Sequence, residues 1–404
     1  MDRLRVSYNI LKEVFQSGAY ASIALNDALR NVSDARDRAY ITKLVYGVIE
    51  DSIAGDYIIG KICAKSPKPA VKIILKIGLY CIRRMNTPMH AAVNSAVELT
   101  RAVGKPDLRG FVNATLRKAA GVELPKRDEV PLNRYLSLTY GYPLWAVDML
   151  TADYGEEFAE ALISHKGDNL THIRPNLSVT DKLNIEGARE SGLGYYVTHD
   201  AIKKLNPAHY LVQSYASMQV CRAADGENPK RILDLCSAPG GKSVYLAQLY
   251  PQAEVTACDI HPHRLELIKS YAERGGVKLD IKLNDATIRQ EKWIGQFDLV
   301  LCDVPCSGLG VAGQKPDILL NRAPEDVDKL AAVQKTIFDT AAQYVKPNGI
   351  IIYSTCTVLK KENEQIIDSF LQSNNNFISE KTINLFPHTH GTDGFFIAKL
   401  RLKK

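Results

Sequence analysis

At 404 residues, with 46% apolar and 24% charged residues, the chain has the length of two or three domains and the composition of an ordinary folded protein. The apolar content excludes a disordered chain, and no apolar run reaches the length that spans a bilayer. The net charge of +6 is unevenly spread: residues 1–130 hold 21 Lys and Arg against 13 Asp and Glu, leaving 30 against 32 for the rest. A basic front suits phosphate binding, but a solvated basic face produces the same excess, so charge alone does not choose between them.

The first residues, MDRLRVSYNILKEVFQ, mix charges into an amphipathic pattern and lack the continuous apolar core of a signal peptide, so a cytoplasmic location is expected. From Leu4 to about Leu116 apolar residues recur at three and four positions, as in Tyr40, Leu44 and Val48 or Val71, Ile74 and Leu75. That spacing predicts a helical domain over residues 1–125. Breakers at Ser66 to Pro69, Thr87–Pro88 and Gly104 to Pro106 divide it into helices of ordinary length, and the proline- and charge-rich stretch Gly121 to Pro131 reads as a linker. Residues 132–228 begin with helical periodicity around Leu144 to Ile163. They then shift to short strand-like pieces at His172 to Arg174 and Tyr195 to Val197, which predicts a small mixed α+β domain.

After Asn228–Pro229 short β-rich runs alternate with amphipathic helices. The predicted strands are Arg231–Leu235, Glu254–Cys258, Asp280–Leu283, Phe297–Cys302 and Gly349–Ser354, with a terminal pair near Phe377 and at Phe395–Leu400. Such alternation makes parallel βα units, and runs as continuously apolar as Leu299 to Leu301 and Ile350 to Ile352 need helices on both faces of the sheet. Residues 229–404 therefore read as a doubly wound α/β domain whose ligands lie beyond the carboxyl ends of the strands.

The marked residues fall at those ends. Asp234-Leu235-Cys236-Ser237-Ala238-Pro239-Gly240-Gly241-Lys242-Ser243 runs from a strand through a small turn into a helix, so a ligand can approach the backbone closely. It is no P-loop, because the first glycine of that motif falls at position 236, which is cysteine; the dinucleotide G-x-G-x-x-G is missing as well. Asp259 ends the second strand and Asp285 follows the third. Alone, each is an ordinary cap or turn residue; as a pair at successive strand ends they suit the ribose hydroxyls and the amino group of an adenosyl ligand.

The fourth strand ends in Asp303-Val304-Pro305-Cys306-Ser307-Gly308 and the fifth in Ser354-Thr355-Cys356-Thr357. Two thiols at neighbouring strand ends face one crevice, where partly exposed, reactive cysteines belong. Carbon 5 of cytosine is a poor nucleophile until a thiolate adds to C6; the resulting enamine can attack a sulfonium methyl group, after which loss of the C5 proton and of the thiol restores the base. Residue chemistry leaves Cys306 and Cys356 unranked for that role. Cys63, Cys81, Cys221, Cys258 and Cys302, within helices or strands, read as small buried hydrophobes. The eight cysteines form no paired C-x-x-C motif, so reduced thiols and no metal are expected.

With these motifs the sequence resembles the RsmB/Sun (Fmu) family of bacterial 16S ribosomal RNA 5-methylcytosine methyltransferases. S-A-P-G-G-K-S, D-x-P-C-S-G-x-G and S-T-C-T occur in this order, and the match extends over the whole chain. The resemblance implies an all-α NusB-like N-terminal RNA-binding domain, including Phe111 to Arg117, and a Rossmann-like class I methyltransferase domain at the C-terminus. The stretch Gln213 to Gln219 would lead from the RNA-binding region into the latter. It implies S-adenosylmethionine as cofactor, held by Cys236, Ser237, Ala238, Pro239, Gly240, Gly241, Lys242, Asp259, Asp285 and Asp303, some of which meet the cytosine beside it. Lys242 would organise the adjacent aspartate and base. Cys356 would be the nucleophile and Cys306 the residue that helps release the product.

The substrate so implied is small-subunit ribosomal RNA, at the position of cytosine 967, and a monomer with neither membrane nor metal is expected. After Gly308-Leu309-Gly310 the family pattern shows a basic pair or His before Pro-Asp, whereas this chain reads Ala312-Gly313-Gln314-Lys315-Pro316-Asp317. Competing readings are an RNA-binding transcription or ribosome-assembly factor with an idle methyltransferase domain, a 5-methylcytosine enzyme for another RNA, and a methyltransferase for protein or small molecules. The last would not need two thiols.

Overall fold

A computed structural model describes residues 2–168 and 170–404 of the chain. It divides into two compact units: one runs as far as Ser164 and takes in Ala312–Ala323, the other comprises His165–Val311 with Pro324–Lys404.

In the first unit, helices Arg3–Ser17, Ala21–Leu29, Ala35–Glu50, Ser52–Ile62, Pro69–Arg83, Met89–Ala102 and Arg109–Ala119 follow the apolar spacing of the sequence. Their inward stripes meet in one core, in which Leu11, Ile41, Leu44, Ile74, Leu75, Val93 and Leu116 are buried. Helix starts are fixed where side chains satisfy the unpaired N–H groups of the first turn. Asp2 accepts from the Arg5 N–H at 3.2 Å, and Asp34 from those of Arg36 and Asp37 at 2.7 and 3.0 Å.

Three further helices, Leu132–Tyr140, Leu144–Tyr154 and Glu156–Ser164, belong to this unit. The expected segment 132–228 is thus divided between the units after Ser164. The physical reason is the packing of helix Leu132–Tyr140 on helix Ser52–Ile62, with Leu136, Val147 and Leu150 buried.

Helix Ala21–Leu29 follows Tyr20, which offers no side-chain cap. Its Ala21 N–H donates instead to Oδ2 of the buried Asp317, 296 residues away, at 3.0 Å. Losing that acceptor strands a buried donor. Asp317→Ala is therefore expected to cost about 1–2 kcal/mol of stability, read as a lower midpoint of urea or thermal unfolding, whereas Asp317→Asn, which keeps an acceptor, should cost less.

The second unit opens with β1 (Thr171–Pro175), β2 (Arg189–Glu190), β3 (Tyr195–Val197) and β4 (Tyr210–Val212), an antiparallel sheet in the order β2-β3-β1-β4. The larger sheet holds β5 (Arg231–Asp234), β6 (Glu254–Asp259), β7 (Asp280–Leu283), β8 (Phe297–Asp303), β9 (Val345–Thr355), β10 (Phe377–Leu385) and β11 (Phe395–Leu402). Its order is β10-β11-β9-β8-β5-β6-β7, parallel from β9 to β7 and antiparallel at β11 and β10.

Side chains alternate across the strands, and both faces are covered. Leu299 and Leu301 pack with Tyr245 and Leu246 on one side, while Val300 and Cys302 pack with Phe338 and Phe370 on the other. The chain leaves β5 toward β6 and β7 and later returns through β8 to β9, so strand order reverses between β5 and β8. The carboxyl ends at such a reversal open into the crevice where α/β sheets bind ligands.

Candidate active site

The turn after β5 is held from within the sheet. Ser237 N–H donates to the Cys258 carbonyl and Gly240 N–H to the Ser237 carbonyl, each at 2.7 Å. Gly240 has φ +112°, and a Cβ there would lie 3.1 Å from Ile268 Cα and 3.2 Å from Tyr271 Cβ. Only glycine fits, and the backbone enters helix Gly241–Leu249 directly. Ser237 and Gly240 are buried, Pro239 is exposed, and Cys236, Ala238, Gly241 and Lys242 are half-buried.

Asp234 is fully buried, with Ser243 Oγ donating to its Oδ2 at 2.5 Å. Burial pushes its carboxyl up to about 6 against the pull of the Ser243 hydrogen bond. The Cys236 backbone also hydrogen-bonds this carboxylate, and the Nδ2 of buried Asn284 finds no partner among the described residues. Asn284 lies between β7 and Asp285, and its N–H donates to the Asp259 carbonyl at 3.1 Å.

Asp259 is buried at the end of β6 and accepts from the His261 N–H at 3.0 Å; Asp285 accepts from the N–H and Oγ1 of Thr287 at 2.9 and 2.7 Å. Each thus makes the turn bond expected of a lone aspartate. Around them Ile260, Leu283 and Ile288 expose more than half of their surface. An unpaired buried amide beside open apolar side chains, all at strand ends, fits a ligand with a flat apolar ring and hydroxyl and amino groups.

At the carboxyl end of β8, Lys242 Nζ meets Asp303 Oδ2 at 2.6 Å, and Ser354 Oγ donates to Asp303 Oδ1 at 2.7 Å. Burial works against the charge on Lys242, but Asp303 outweighs it, so the ammonium is held above its ordinary range. Lys242 is a fixed cation, not a base.

Cys306 and Cys356 come together with their sulfurs 3.3 Å apart. Cys356 is half-buried, and Cys306, expected to be partly exposed, is buried beneath it. The hydrogen bond with the Cys356 sulfur, then burial, pushes the Cys306 thiol well above its usual range. Cys81, Cys221, Cys258 and Cys302 are buried as expected, whereas Cys63 is half-buried at the end of helix Ser52–Ile62. Burial lifts Cys81 to about 11 and Cys221 and Cys258 to about 12.

The motif glycine Gly310 has a structural partner that sequence reasoning missed. Its N–H donates to the Cys356 carbonyl at 3.0 Å and its carbonyl accepts from Gly394 N–H at 2.8 Å. A Cβ on Gly310 would fall 2.1 Å from the Gly394 carbonyl oxygen. Also missed were Gln334, Glu362 and Asn363, buried polar residues beneath the two cysteines.

The 16S rRNA methyltransferase RsmB/F family matches residues 222–401 and the NusB family residues 3–121. A probable ribosomal RNA small subunit methyltransferase B of Bacillus subtilis (strain 168) is 31% identical over 446 residues, covering 98% of each chain. The chain belongs to the ribosomal RNA small subunit methyltransferase B family. The family protein of Xanthomonas campestris pv. campestris is likewise 31% identical, over 97% of this chain and 95% of its own. The crystal structure of PH0851 shares the fold, with a TM-score of 0.82, 23% identity and coverage of 99% of this chain and 98% of that one. As a member of the methyltransferase B family the chain is an enzyme that methylates ribosomal RNA, with a NusB domain at its front and the crevice described above in its RsmB/F domain. Among the described residues no helix is long and apolar enough to cross a membrane.

Proposed function

We propose that this enzyme transfers a methyl group to C5 of a cytosine in 16S ribosomal RNA, at the position of cytosine 967, through a covalent adduct in which Cys356 is bonded to C6. The observation that carries the reading is the contact of the two sulfurs at 3.3 Å beside the Lys242–Asp303 pair. Methylation at a nitrogen or a ribose oxygen has no use for a second thiol.

S-adenosylmethionine supplies an electrophilic methyl group on a sulfonium. Cys236 to Lys242, Asp259 and Asp285 hold it, an assignment supported by the unpaired Asn284 amide and the open apolar side chains of the same crevice. Cys356, the less buried thiol, adds to C6 as thiolate, and its negative charge is favoured by the Cys306 S–H and the Lys242 ammonium. Asp303, oriented by Lys242 and Ser354, serves the N3 and N4 edge of the base. Once C5 carries the methyl group, its proton leaves to a base and the C6–S bond breaks, returning the electron pair to the Cys356 sulfur. Cys306, in contact with that sulfur, assists its departure. The cytosine must leave its stack for a thiolate to reach C6. The basic front domain supplies phosphate contacts, and the enzyme acts as a monomer in the cytoplasm.

The test is direct. Protein, unmethylated 16S ribosomal RNA and methyl-labelled donor are incubated, and the digested nucleosides are separated by mass. The expected product is 5-methylcytidine; label on a nitrogen or a ribose, or RNA binding without transfer, would overturn the proposal.

A further inference from the structure

Two loops of irregular backbone must bring two sulfurs into contact, and neither sulfur is held by a hydrogen-bond ladder of the sheet. Cys356 is tied through its carbonyl to Gly310 N–H, and the residues on either side of each cysteine are held as well. Pro305 and Ser307 flank Cys306: the Pro305 carbonyl accepts from Gln334 Nε2 at 2.9 Å, and Ser307 N–H donates to Glu362 Oε1 at 2.8 Å. Gln334 Nε2 also donates to Glu362 Oε1 at 2.9 Å, while Ser307 Oγ donates to Glu362 Oε2. Thr355 and Thr357 flank Cys356: Thr355 Oγ1 donates to Asn363 Oδ1, and Asn363 Nδ2 donates to the Thr357 carbonyl at 3.1 Å. Ser307 Oγ and Thr357 Oγ1, one residue past each cysteine, meet at 2.7 Å. The Glu362 carbonyl is itself fixed by Tyr353 OH at 2.6 Å.

We propose that the consecutive residues Glu362 and Asn363 form a clamp, one holding the Cys306 loop and the other the Cys356 loop, which sets the spacing of the two thiols. Ser307, Gln334, Thr355, Thr357, Glu362 and Asn363 expose at most 1% of their surface. Buried polar groups are costly unless each is paired, and once paired they specify one arrangement more sharply than apolar packing does. Burial pushes the Glu362 carboxyl up against the hydrogen bonds donated to it. Neither residue of the clamp reaches a sulfur through any of these bonds, so both are positioning residues.

This inference rests on the two-thiol reading above, but it can be measured without RNA. Phenylarsine oxide condenses with two adjacent thiols: two As–S bonds form, and the arsenic-bound oxygen leaves as water with both thiol protons. Wild-type protein is expected to take one equivalent bridging Cys306 and Cys356, located by peptide mass. Ser307→Ala and Asn363→Ala should each weaken that binding by about three- to tenfold, the scale of a lost buried hydrogen bond, and Glu362→Ala, which strands the Ser307 and Gln334 donors, by more. Glu362→Gln, which keeps shape and an acceptor, should restore most of it. In turnover, Ser307→Ala and Glu362→Ala should lower kcat with KM unchanged and accumulate protein–RNA adduct, while Asn363→Ala should slow adduct formation.

Thermal melts identify any variant that does not fold, and Ser307→Ala, the mildest change, carries the test if Glu362→Ala fails. Folded variants that bind the arsenical and turn over as wild type does would overturn the clamp. A Cys306→Ala enzyme that accumulates no adduct would overturn the two-thiol reading instead, and the arsenical affinities would still decide the clamp.

Discussion

Cys306→Ala is expected to arrest the reaction as a covalent protein–RNA complex, stable to denaturing electrophoresis, whereas Cys356→Ala forms no complex and transfers no methyl group. The two thiols touch, yet they are not equivalent. Cys356 is half-buried, and Cys306 lies buried in contact with it, its thiol pushed well above the usual range by the hydrogen bond with Cys356 and by burial. The less buried thiol is the one a base can reach, and the buried one can donate a hydrogen bond to the sulfur that attacks and later leaves. Removing the nucleophile should lower the rate on the order of 10⁴-fold or more, as when a member of a covalent catalytic set is deleted. Removing the assisting thiol should leave attack and methyl transfer intact and slow only the breaking of the C6–S bond. Single-turnover reactions with labelled donor separate these cases, since the Cys306→Ala complex should carry the methyl label. Full activity in Cys356→Ala, or trapped complexes in both variants, would reverse or abolish the assignment.

How far this site could be read without coordinates depended on the distance along the chain between its parts. The strands of the α/β domain were legible because a buried parallel strand is nearly all apolar, as Leu299 to Cys302 and Ile350 to Tyr353 are, and the strand ends then located the motif residues. The approach of the two cysteines followed from neighbouring strands. What was not legible is what holds them. Glu362 lies in a short charged stretch, Lys360 to Glu364, that reads as solvated surface, and its burial comes from Ser307, 55 residues earlier.

The same holds for Asp317. Next to Pro316 it looks like a turn residue, and its real task is to cap a helix that begins at Ala21. The loop departure at Ala312 to Asp317 therefore falls in a segment that belongs to the first unit, a grouping no local pattern announces. The helical periodicity from Leu144 to Ile163 was legible and helix Leu132–Tyr140 was not, and it is the packing of that helix on helix Ser52–Ile62 that decides which unit they join.

The Lys242–Asp303 pair carries the other large effect. Lys242→Met keeps the length and apolar stem of the side chain and removes only the charge. Asp303 then retains the Ser354 hydroxyl at 2.7 Å but loses its partner at 2.6 Å, and the crevice loses the cation that favours a thiolate nearby. A preoriented charge in a site screened from water is worth about 10²–10³-fold in rate, and a loss of that size in kcat/KM is expected. The two side chains keep 14% and 25% of their exposure, so the loss should fall on the chemistry more than on the fold. Because Asp303 holds the ammonium above its ordinary range, Lys242 stays charged throughout the neutral region, and an alkaline limb of the wild-type pH profile should not disappear in Lys242→Met. Lys242→Arg, charged but of different shape, should recover part of the rate. The decisive comparison is a double-mutant cycle with Asp303→Asn: if the cation works through the aspartate, the double variant should be no slower than the slower single one. Strict additivity would mean that Lys242 acts on the thiolate alone, and that Asp303 is oriented by Ser354.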